Sequence, residues 1–128
     1  MNERVKYWID IAEYDLETAD AMLETKRLLY VGFMCHQTIE KILKGYYQFK
    51  KNTIPPYTHD LERIASESLI WSSLSTEQKN LVNFLQPLNI QARYPSYKEK
   101  IFSSLDYDKC KDLVMQTKEF VKWIKKLL

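Results

Sequence analysis

His36, Gln37, Glu40 and Lys41 stand close together in the run HQTIEKILKGYY at 36–47. A helix places residues four apart on one face, so His36 and Glu40 are neighbours there. A histidine beside a carboxylate can give or take a proton near neutral pH. Arg93 follows later, in ARYP, with Tyr94, Tyr97 and Lys98 close behind. A guanidinium grips a phosphate through two parallel hydrogen bonds, but it is no general base, because its pKa lies above about 12. Tyr94 and Tyr97 can stack on a flat ring while Lys98 holds a phosphate, or they can pack the loop onto the core. For His36 the plain alternative is a structural histidine hydrogen-bonded near the core. For Gln37 and Lys41 it is a solvated rim.

The elements that must position these residues are helical. From Glu3 to Thr25 the residues Val5, Trp8, Ile9, Ala12, Leu16, Ala19 and Leu23 recur at steps of three and four, an amphipathic stripe. The second helix is expected from about Leu29 to Lys50. It is apolar around more of its circumference, which predicts a central position. IPPY at 54–57 is a connection no helix crosses. THDLERIASES reads as a short third helix, with Thr58 as a candidate N-cap; His59 and Asp60 either cap it or contact the end of the second helix, and a structural role is expected for both. Ser75 and Gln78 fit a capping box for the fourth, which Pro87 should kink or split. The last begins near Asp106, with Cys110, Leu113, Thr117, Phe120, Ile124 and Leu127 as a heptad-like seam. The expected fold is all-α, a four- to five-helix up-and-down bundle, with residues 1–128 forming one domain.

Composition narrows the function classes. A net charge of +2 predicts neither nucleic acid nor a membrane surface by itself. Only 2 glycines and 4 prolines argue against an all-β fold with many tight turns. Cys35 and Cys110 fall at apolar helix positions and read as free buried thiols of a reducing compartment, so cytoplasmic location is expected. No Cys-x-x-Cys or His/Cys cluster suggests a metal, and no cofactor follows from the sequence. No apolar run approaches the ~20 residues of a membrane span.

Two charged stripes flank the apolar faces of the outer helices. Asp10, Glu13, Glu17, Asp20 and Glu24 line the first helix; Lys111, Lys118, Lys122 and Lys125 line the last. Either these are two solvated faces, or the rims meet within one subunit or across a dimer.

YWIDIAEYDLETADAML, HQTIEKILKGYY, a proline-containing loop with THDLERI, and ARYP occur in that order across nearly the whole chain. Together they resemble the HEPN family (higher eukaryotes and prokaryotes nucleotide-binding domain). The resemblance implies an α-helical bundle, generally dimeric. Many bacterial members sit beside a small nucleotidyltransferase and form toxin–antitoxin pairs. Many are metal-independent ribonucleases with an arginine followed, after four to six residues, by histidine. This chain departs from that pattern. After Arg93 the histidine would stand at Lys98, Glu99 or Lys100, and neither His36 nor His59 follows Arg4, Arg27 or Arg63 at the required distance.

Three readings follow. The first is a HEPN protein that binds nucleotide or RNA through Arg93, Tyr94, Tyr97, Lys98, His36, Gln37, Glu40 and Lys41, and acts with a nucleotidyltransferase. The second is an active ribonuclease toxin with a displaced acid–base pair, for which His36 and Arg93 are the candidates. The third is a non-catalytic helical dimerisation module. A homodimer is expected from the resemblance and from the second helix's excess apolar surface.

Overall fold

The computed structural model describes residues 2–91 and 105–128. The helices are α1 (Glu3–Glu24), α2 (Leu28–Lys51), α3 (Leu61–Glu67), α4 (Thr76–Leu85), α5 (Leu88–Gln91) and α6 (Tyr107–Lys125). A short 3-10 turn, Trp71–Ser73, precedes α4. There is no strand among the described residues.

Local chemistry sets most of the boundaries. Asn2 and Asp106 cap α1 and α6, each side chain accepting a hydrogen bond from a backbone N–H of the first turn. Ser75 and Gln78 form the full capping box. Pro87 lies between α4 and α5 and divides them, as its missing N–H requires. The start of α3 differs from the sequence expectation. Asp60, not Thr58, is the N-cap and accepts from Arg63 N at 3.2 Å, while the Thr58 hydroxyl accepts from Asp60 N. A carboxylate two residues closer to the first turn wins the cap.

Cross-helix pairs give the directions. Gly45 meets Trp8, and Lys41 meets Asp15, so α1 and α2 run antiparallel. Lys118 pairs with Asp20 and Lys125 with Glu13, so α6 is antiparallel to α1. Phe84 lies under Lys109, while Gln78 shares a groove with Trp123, so α4 is antiparallel to α6. The bundle therefore runs up, down, up and down through α1, α2, α4 and α6.

α2 is central and touches every other helix. Val31, Cys35, Ile39, Ile42 and Leu43 are sealed in the core, joined by Ile64, Leu85, Leu113, Phe120 and Ile124. Gly32 lets Leu88 and Leu105 pack closely on α2: a Cβ there would stand 2.8 Å from Leu88 Cδ1 and 3.1 Å from Leu105 Cδ1, and those side chains would have to shift. Most of the apolar surface of α2 is thus covered within one chain, while Tyr30 and Phe49 remain exposed. No described helix is long and apolar enough to cross a membrane.

Candidate functional site

α2 also carries a buried polar ridge. His36, Glu40, Lys44 and Gln48 recur at steps of four and are all buried. His36 is 0% and Glu40 2% exposed. Glu40 divides its oxygens between two partners: Oε1 lies 2.8 Å from His59 Nδ1, and Oε2 accepts from Lys44 Nζ at 3.1 Å. His36 Nδ1 is 3.9 Å from the same Oε1. The His59 side chain remains 59% exposed, so the pair joins a sealed carboxylate to an accessible imidazole.

A second strand of the network runs beside the first. Gln37 Nε2 donates to Asn89 Oδ1 at 2.8 Å, which ties α2 to α5. Gln37 Oε1 accepts from Lys41 Nζ at 2.9 Å, and Lys41 donates onward to Asp15 at 3.0 Å. Lys41 and Lys44 are therefore both neutralised internally, and neither is a spare cation for a phosphate. The solvated rim is excluded for Lys41, whose side chain is only 19% exposed.

Burial pushes the His36 imidazole down to about 4. The Glu40 carboxylate opposes this, His59 adds to it, the nearby His59 backbone opposes it and Lys41 adds a little. The ring is neutral at pH 7. Its Nε2 is buried with no hydrogen-bond partner among the described residues. Burial also raises Cys35 to about 12 and Cys110 to about 11, so both thiols stay protonated and unreactive. Among the described residues no group of three or more His, Cys, Asp or Glu side chains is placed to hold a metal ion.

Of the residues singled out by sequence, His36, Gln37, Glu40 and Lys41 are brought together. Arg93, Tyr94, Tyr97 and Lys98 lie outside the described residues. His59 was expected at a helix start or against the end of the second helix, and it joins the cluster through Glu40 in the middle of α2; Asn89, Asp15 and Lys44 complete it. Lys44 had a sequence signal, since it stands four residues after Glu40. The others are distant in sequence and had none.

The HEPN domain family matches residues 5–127 of the chain. The crystal structure of TT1696 from Thermus thermophilus superposes with a TM-score of 0.83, over 99% of this chain and 100% of that one, at 14% identity. At that identity the likeness speaks for the fold alone. No curated protein matches the sequence.

Proposed function

Because the chain belongs to the HEPN domain family, we propose that it binds nucleotide or RNA and works with a small nucleotidyltransferase partner of the toxin–antitoxin type, as a homodimer in the cytoplasm. The observation that carries the reading is the buried Glu40 with its Lys44 and His59 partners. Burying such charges costs more than a well-packed apolar cluster of the same volume, so stability alone does not account for them. The Gln37–Asn89 bond also ties α5 to the ridge. Arg93, Tyr94, Tyr97 and Lys98 follow α5 in the sequence, and their chemistry suits a phosphate and a stacked base. Lys41 and Lys44 are already paired, which leaves the phosphate to Arg93 and Lys98.

Titration of the purified protein with ATP and with short single-stranded RNA tests this. Binding should be measurable and should weaken about ten-fold in Arg93→Ala, the usual cost of a lost charge-assisted contact. Absence of binding to both ligands would leave the helical dimerisation module as the better account. Co-expression with the nucleotidyltransferase encoded beside it, where there is one, should yield a complex.

A second reading has its own support. The Glu40–His59 pair has the form of an acid–base dyad, in which the carboxylate orients an imidazole that stays exposed. A ribonuclease with a displaced acid–base pair would use His59 rather than His36, which is sealed and neutral. Loss of RNA cleavage in His59→Ala, with cleavage kept in His36→Gln, would favour it. No cleavage by the wild-type protein would end it.

A further inference from the structure

His59 is held at both its ring and its main chain, although its side chain is 59% exposed. The ring meets Glu40 on α2, with Nδ1 2.8 Å from Oε1. The main chain is clamped by Gln86, the residue that ends α4. The Gln86 amide donates to His59 O at 3.2 Å and accepts from Leu61 N at 2.7 Å. Ordering an exposed side chain costs entropy, and an exposed ion pair gains little in return. Stability alone does not account for the arrangement.

Chemistry places the proton on the ring. Lys44 Nζ donates to the other oxygen of Glu40 at 3.1 Å and stands over the Trp8 ring, 5.7 Å from its centroid. Beside that ammonium the sealed carboxylate is ionised. An ionised carboxylate only accepts, so the neutral ring of His59 donates from Nδ1 and carries its lone pair on Nε2. His36 Nδ1, at 3.9 Å from the same oxygen, is too far to take that bond. Free histidine favours the opposite tautomer, with the proton on Nε2.

We propose that Lys44 and Gln86 are positioning residues that set His59 as a general base, Lys44 by fixing the tautomer through Glu40 and Gln86 by fixing the main chain. This rests on the second reading above, with RNA as the substrate. Nε2 takes the proton of a ribose 2′-hydroxyl, whose oxygen bonds to the adjacent phosphorus as the bond from phosphorus to the 5′-oxygen breaks. The proton then passes from Nε2 to that 5′-oxygen. Removing the ammonium reverses the tautomer. A sealed carboxylate without its cation takes up a proton. The resulting acid donates to Nδ1, which leaves the ring hydrogen on Nε2. The base is then lost although His59 remains, as in other histidine–carboxylate pairs with the wrong tautomer.

Long-range proton–nitrogen NMR of the two imidazoles tests this, assigned with His36→Gln and recorded above the titration range of histidine. Wild-type His59 should show a pyrrole-type Nδ1 and a pyridine-type Nε2. Lys44→Met should exchange the two, and Gln86→Leu should return His59 toward the mixture of free histidine. In RNA cleavage both variants should lower kcat at least about ten-fold and leave KM unchanged. A wild-type His59 with its proton on Nε2, or Lys44→Met with the wild-type tautomer, overturns the proposal even where RNA is cleaved. No cleavage by the wild type ends the ribonuclease reading and the proposal with it, whatever the tautomer. Should Lys44→Met not fold, Gln86→Leu decides: an unchanged tautomer and an unchanged kcat there overturn the proposal equally.

Discussion

His36 shows what a buried imidazole does to pH dependence. Its pKa is depressed to about 4 in the folded chain, against the ordinary value near 6.5 once unfolded. The unfolded chain therefore takes up the proton first as the pH falls. The stability linked to His36 is present above pH 6.5 and is lost as the pH drops through 4, by on the order of 3 kcal/mol. Unfolding free energies at pH 7 and pH 4.5 should fall more for wild type than for His36→Gln, and equal falls would refute the assignment. Glu40 gives a second prediction. Glu40→Gln leaves the Lys44 ammonium, whose side chain is 10% exposed, without its counter-charge, and should cost about 3 kcal/mol in chemical denaturation. Glu40→Gln with Lys44→Met should cost less than the single change, since no unpaired charge then remains. The buried positions of His36 and Glu40 were legible from their spacing on a helix that is apolar nearly all round. His59 was not, because its contact with Glu40 spans 19 residues and depends on where the proline-containing loop returns the chain.

Elements start and stop where local chemistry dictates, and three helices end on a left-handed non-glycine residue, Lys26, Asn52 and Leu69. α3 ends in a left-handed turn in which Leu69 N bonds to Ser66 O and Ile70 N to Ala65 O. Leu69 holds φ at 72°, a conformation that glycine adopts freely and leucine does not. Its side chain is 61% exposed and contributes little to the core. Leu69→Gly should therefore stabilise the protein by about 0.5–1 kcal/mol in thermal or denaturant unfolding, because the relief of about 1–2 kcal/mol exceeds the entropy that glycine loses. A drop in stability would show that the exposed leucine packs better than its accessibility indicates. The capping box at Ser75 and the break at Pro87 were readable in the sequence, since both rest on neighbours a few residues apart. The α3 cap was misplaced by two residues because Thr58 and Asp60 are both good caps, and only the path of the chain decides between them.

The whole molecule is oriented by charge as well as by its core. The acidic rim of α1 and the basic rim of α6 face each other within the one chain, through Lys118–Asp20 at 2.9 Å and the Lys125–Glu13 pair. Both stripes were visible in the sequence, but nothing in it said whether they met each other or the solvent. That depended on α1 and α6 lying side by side, which follows only once α2 occupies the centre. The pairs are close to half exposed, so each is worth about 0.2–1 kcal/mol and is weakened by salt. Their main effect is on direction. The antiparallel arrangement of α1 and α6 joins opposite charges, and replacing Lys118 and Lys125 together by glutamate would set like charges face to face. That variant should lose about 1–2 kcal/mol at low ionic strength and recover much of it in 1 M salt, where charges are screened within about 3 Å. Denaturant unfolding at both ionic strengths reads the difference directly. If the loss were the same at both, packing of the lysine stems over Leu16 and Val121, which line the same seam, would be holding the helices together and not their charges.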